Sequence, residues 1–150
     1  MYDGEATIDA ALTARAEAEP ERRLVRFGDG GDLTLGALDR DATRLADALC
    51  ALGLRPGDKV AVMLPNGPAF LRAWMGIARA ALGEVPLNVA LKGDLLEHPL
   101  RLAECRALVI ADAWLDRLPP LLAGLPLLAH VVVVGPGEAP PLAGRAVHRL

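Results

Sequence analysis

The 150-residue chain has no serine and no glutamine, and only two cysteines, two lysines and five aromatic residues. Each shortage excludes something. Without serine there can be no serine nucleophile. Five aromatics and a formal net charge of −3 leave neither stacking platforms nor a basic field for nucleic acid. Cys50 and Cys105 lie far apart in apolar helical patterns, with no CxxC or Cys/His spacing that could hold zinc, and they read as buried free thiols. Long apolar runs are missing too. The longest, Ala123 to Gly135, is interrupted by Gly124, Pro126 and His130 and falls short of the ~20 residues that a membrane-spanning helix needs. The first residues, Met1 to Glu5, carry acid where a secretory leader would carry lysine or arginine, so a cytoplasmic location is expected.

The chain is rich in core material: 53% of it is hydrophobic and 23% charged, and 14 of the 16 basic residues are arginine. That composition suits one folded soluble domain and rules out a disordered tail. No repeat and no linker divides it.

Residues 7–19 place Ile8, Ala11 and Leu12 on one helical face, and Pro20 stops the helix. Leu24 to Phe27 and Leu33 to Leu35, joined by Gly28-Asp29-Gly30-Gly31-Asp32, form a hairpin signal. Those glycines read as a turn, because Leu33 stands where a dinucleotide-binding fingerprint needs its third glycine. Thr34 caps a strong helix in which Leu38, Ala42, Leu45, Leu49 and Leu52 form the apolar stripe while Asp39, Arg40, Asp41, Arg44 and Asp47 face water. Gly53 ends it, and Arg55-Pro56-Gly57-Asp58 reads as a type II turn.

Lys59 to Leu64 is a near-continuous apolar run, as expected of a strand covered on both faces of a parallel sheet. Asn66 is a candidate cap for the helix beginning near Pro68, which carries Phe70, Trp74, Ile77 and Ala81 on one face and closes at Gly83. Trp74 is expected in the core. Glu84 to Asn88 is a short strand. Asp94-x-x-Glu97 reads as a capping box over a helix through Leu95, Leu96, Leu100 and Leu102, disturbed by Pro99, with a restart at Pro99 as the alternative. Ala107 to Asp112 is a third sheet strand, Ala113 to Leu125 a helix split at Pro119-Pro120, and Val131 to Val134 a fourth buried strand. Residues 135–150 form a Pro/Gly-rich tail read as loop. Strands and helices alternate from 59 to 134, so the fold class is α/β, a partial parallel sheet.

Chemistry-bearing residues are sparse. His98, His130 and His148 have no partner in any motif and suit helix-end or surface roles. Asp112 stands out, because it ends a parallel strand on the edge where ligands gather, although capping the following helix is the plainer job. Residues alone therefore nominate no catalytic, cofactor-binding or metal-binding residue.

The order of segments over residues 33–110 goes further. Thr34 with Leu38, Leu52-Gly53-Leu54-Arg55-Pro56-Gly57-Asp58-Lys59-Val60-Ala61, Met63-Leu64-Pro65-Asn66, Trp74-Met75-Gly76-Ile77 and Val85-Pro86-Leu87-Asn88 together resemble the N-terminal part of AMP-forming acyl-CoA synthetases, in the adenylate-forming ligase superfamily. The phrase from Asn88 to His98 looks most like the branch of fatty-acid transport-type and carnitine-type CoA ligases. The resemblance implies that the intact family activates a carboxylic acid with ATP and Mg²⁺ to an acyl-adenylate and passes it to coenzyme A. Its Ser/Thr/Gly-rich phosphate loop, acidic Mg²⁺ motif and lid lysine have no counterpart in this sequence. By that resemblance, residues 1–150 are a single incomplete N-terminal subdomain, catalytically incomplete alone and needing no cofactor of its own, with a separate chain as the candidate source of the remainder. A rival reading is a non-catalytic interaction module, and a third is an unrelated nucleotide binder. Three departures from the family pattern stand out: Ala81-Leu82-Gly83 where a Gly-Ala pair is usual, Ala37 where a capping glutamate is common, and Pro99.

Overall fold

A computed structural model describes residues 7–28 and 31–149. Met1 to Glu5 and the turn residues Asp29 and Gly30, all used in the sequence reading, lie outside the described residues. Helix α1 (Ile8–Ala18) starts where the Thr7 hydroxyl accepts a hydrogen bond from the Ala10 N–H. Strands β1 (Arg23–Arg26) and β2 (Asp32–Thr34) form the expected antiparallel hairpin. Thr34 caps α2 (Leu35–Ala51) by accepting from the Ala37 N–H. Gly53 (φ +86) and Gly57 (φ +90) then supply the two left-handed positions that bring the chain to β3 (Lys59–Met63).

Beyond β3 follow α3 (Pro68–Arg79), β4 (Gly83–Pro86), α4 (Asp94–Leu102), β5 (Ala107–Ala111), two 3-10 segments (Asp112–Arg117 and Pro119–Gly124), β6 (His130–Val134) and β7 (Ala146–Arg149). The five strands β3 to β7 make one parallel sheet in the order β4-β3-β5-β6-β7. The α/β class and the split at Pro119 agree with the sequence. The fifth strand does not: residues 146–149 fall in the segment read as loop, yet they pair in register with β6.

Burial follows the pleat. Val60, Val62, Ala107, Val109 and Val132 face Leu45 and Leu49 of α2 and Ala73 and Ile77 of α3. Their neighbours Ala61, Met63, Leu108, Ile110, Val131 and Val133 face the opposite way, onto Leu96 and Leu100 of α4 and the leucines of the 3-10 segments. A third cluster, outside the first face, joins Leu12 and Ala16 of α1 to Leu33, Leu38, Ala42 and Met75.

Several local expectations are corrected. Asn66 caps nothing: the α3 N-cap is Gly67, in extended backbone, with Pro68 at the first helical position. Asp94 is the first residue of α4, after Gly93, so no capping box forms, and Glu97 pairs instead with Arg101. That helix runs unbroken through Pro99. The turn after α3 has shifted: Ala81, at φ +55, takes the left-handed position, and Gly83 opens β4. The Leu82 N–H donates to Ile77 O (3.0 Å) and the Ala81 N–H to Ala78 O (3.0 Å), which is a Schellman closure built on alanine. Trp74 is 38% exposed, because α3 turns its small residues, Ala73, Gly76 and Ala80 together with Ile77, toward α2 and the sheet. Asp39 and Asp41 are half-buried in ion pairs rather than facing water.

Candidate functional site: the carboxyl edge of the sheet

In an open parallel sheet the strand order reverses at one place, and ligands bind there, beyond the carboxyl ends of the strands. Here the chain moves from β3 outward to β4, then returns to place β5 on the other side of β3. The switch point therefore lies between the ends of β3 and β5, where Met63 pairs with Ile110. Pro65, Asn66 and Gly67 follow one strand and Asp112 the other. Asn88, after β4, folds its own turn by accepting the Ala90 N–H at 2.9 Å.

Asp112 is therefore at the position that the sequence singled out, and its partners define what it does. Oδ1 accepts the Ala113 N–H at 2.8 Å, but the 3-10 segment starts at Asp112 itself with Ala111 as its N-cap and no side-chain cap bond, so the expected capping role is not taken. Oδ2 accepts the Gly137 N–H from the loop after β6. Gly135 (φ +129) and Gly137 press against this carboxylate so closely that a Cβ at either would lie 2.4 Å from Asp112 Cγ or 2.7 Å from Oδ2. On the other side Arg149 donates to the carbonyls of Gly135 and Gly137. An acid and a base thus clamp the Gly135-Pro136-Gly137 turn from both sides.

That arrangement does not fit a nucleotide phosphate. A phosphate cradle needs free backbone N–H groups or a cation facing open space, whereas this turn has a carboxylate seated in it. Nor does the start of α3 offer one, since Pro68 removes a first-turn donor. A groove of about 440 Å³ opens between α2 and α3 near this edge, lined by Asp41, Arg44, Ala69, Arg72 and Val134. Its two guanidiniums share one carboxylate, with Arg72 Nε 2.7 Å and Arg44 Nη1 3.4 Å from Asp41.

The remaining chemistry-bearing residues are scattered. His98 is exposed on α4. Cys50 is exposed, contrary to expectation, and Cys105 is buried, which pushes its thiol up to about 11 and leaves it unreactive. Glu84, on β4, has an unpartnered buried oxygen, and burial pushes its carboxyl above the ordinary range. His130 and His148, expected to be separate, meet: Nδ1 of one lies 3.3 Å from Nε2 of the other, and burial, then the neighbouring imidazole, lowers the His130 pKa. The alternation in Ala146-Val147-His148-Arg149 was the sequence signal for that meeting, hidden by the surrounding glycines and prolines.

A doubly wound parallel α/β sheet with its switch point between first and third strands is the class these features define. The chain belongs to the AMP-binding enzyme family, which it matches over residues 12–146. It is 37% identical over 110 residues to a feruloyl-CoA synthase of Amycolatopsis sp, covering 73% of this chain and 22% of that protein. With human long-chain fatty acid transport protein 3 it shares 42% identity over 88 residues, 58% of this chain and 13% of the relative. Its fold matches the crystal structure of the anthranilate CoA ligase AuaEII in complex with anthranoyl-AMP, with a TM-score of 0.80 at 22% identity, over 89% of this chain and 26% of that one. The chain thus spans about a quarter or less of the length of each.

Proposed function

We propose that this chain is the leading part of the large domain of an adenylate-forming acyl-CoA ligase, a scaffold rather than a reaction centre. The observation that carries the reading is Asp112. At the edge where the fold gathers ligands, the glycine turn is filled by the protein's own carboxylate. In the intact ligase, ATP, Mg²⁺ and coenzyme A are the cofactors and a carboxylic acid of the fatty-acid type the substrate. No residue of this chain is assigned to catalysis or to holding those cofactors. The exposed, unpaired thiol of Cys50 favours a reducing compartment, the cytoplasm. No helix among the described residues is long and apolar enough to cross a membrane.

The test is ATP–pyrophosphate exchange by the purified 150-residue chain with a panel of fatty and aryl acids. No exchange is expected, and clear exchange with any acid overturns the reading. A partner chain supplying the remainder is the second reading, favoured by β4 and β7, each of which pairs on one side only among the described residues. Size exclusion separates the two: a clean, stable monomer counts against an obligatory partner.

A further inference from the structure

We propose that the outer face of α4 is a self-association surface, on which a second copy of this chain docks its own α4 antiparallel about a two-fold axis near His98. Leu95 is 72% exposed and Leu102 74%, more than any other large hydrophobic side chain among the described residues. Seven residues apart, nearly two helical turns, they stand on one stripe of α4, while Leu96 and Leu100 hold its inner face in the core. A singly exposed leucine is ordinary, but two on one stripe of a nine-residue helix make a seam. His98 lies between them, also exposed.

The charges around the seam select the occupant. Lys92, Asp94, Arg101 and Glu104 are all exposed and run along the chain in the order positive, negative, positive, negative. Reversing that order exchanges the signs. An antiparallel copy turned about residue 98 therefore sets Lys92 near Glu104 of the second copy and Asp94 near Arg101 of the second copy, each twice by symmetry, and lays Leu95 on Leu102 of the second copy. A partner of one charge sign would meet as much repulsion as attraction on the same rim. Lys92, Asp94 and Glu104 form no ion pair among the described residues, so all three are free for a second copy. Glu97, the remaining charge on α4, is turned aside toward Gly124 and Arg101. One short helix per copy covers less than the roughly 1,200 Å² at the lower bound of stable complexes, so the dimer is weak and grows with concentration.

Sedimentation velocity of the purified chain over a rising concentration series tests the surface, with a monomer–dimer equilibrium expected. Leu95→Glu and Leu102→Glu alter side chains already in water, so each should leave a monomer with an unchanged far-UV circular dichroism spectrum. Asp94→Arg should weaken the dimer roughly tenfold by setting like charges together, and combining it with Arg101→Asp should restore the affinity. Three outcomes overturn the proposal: a monomer at every concentration; association that survives both leucine substitutions, which would place it at the open strands β4 and β7; or a double variant as weak as Asp94→Arg alone. The ligase reading rests on Asp112 and stands whichever way this test falls.

Discussion

The two faces of the sheet are filled by different means. On one, α2 and α3 lie close because Gly76 meets Leu45, where a Cβ would approach within 2.7 Å. The three helices there are joined by one side chain: Arg79, 15% exposed, reaches Asp9 (2.7 Å), Asp39 (2.6 Å), Thr13 (2.9 Å) and the Asp39 carbonyl (2.7 Å). The other face has one regular helix, which carries a proline within it, and two 3-10 segments, and it fills its volume with leucine. Irregular backbone leaves carbonyls open to side-chain donors. Arginines fill that role: Arg117 donates to Val89 O (2.6 Å) and Leu91 O (3.1 Å), and Arg145 to Leu122 O and Leu125 O (both 2.8 Å), which also accept the Leu125 and Leu128 N–H groups. The regular face therefore uses arginine to tie helix to helix, and the irregular face uses it to hold loop and 3-10 carbonyls. The arginine bias that stands out in the composition has a structural use on both.

Four substitutions or conditions would break or sharpen that contrast. The largest effect is expected from Leu118→Ala, a fully buried leucine on the irregular face, which should cost about 3 kcal/mol in chemical denaturation. Arg79→Ala should cost about 2 kcal/mol, less than a fully buried pair because Asp9 and Asp39 keep some water, and should loosen α1 first in hydrogen exchange. Ala81→Gly acts the other way. By relieving a left-handed alanine it should raise stability by about 1 kcal/mol, read as a higher Tm. The smallest effect is pH dependence. Burial lowers the His130 pKa below that of the unfolded chain, so the unfolded state binds the extra proton. Stability should be full above the ordinary imidazole value and fall as the pH drops through the lowered one. His130→Asn should flatten that part of the Tm profile, and an unchanged profile would show that the ring is not responsible.

Legibility in the sequence divides along local and distant lines. α2 was readable because its stripe, its cap Thr34 and its stop Gly53 lie within one segment. β3, β5 and β6 were readable because a strand covered on both faces is apolar throughout. Trp74 departs from expectation because the face that α3 buries is carried by Ala73, Gly76, Ile77 and Ala80, whose spacing matters more than the bulk of the indole. Gly83 misled because glycine is the usual left-handed residue, while here alanine fills that position and glycine sits where a Cβ would meet the Lys59 side chain. At the candidate site, the position of Asp112 was legible and its bond to Gly137 was not, since that pairing spans 25 residues. The meeting of His130 and His148 had the same obstacle, and so did β7, whose four residues gain meaning only beside β6.

The strand order also has a consequence for synthesis on the ribosome. Strand β3, one in from the edge, is translated before both of its neighbours, and β4, β5, β6 and β7 each arrive next to a strand already made. A nascent chain can therefore build the sheet outward from β3, with no strand waiting for a partner on both sides to be translated later except β3 itself. During that wait the exposed apolar run from Lys59 to Leu64 is the segment most in need of a chaperone's protection.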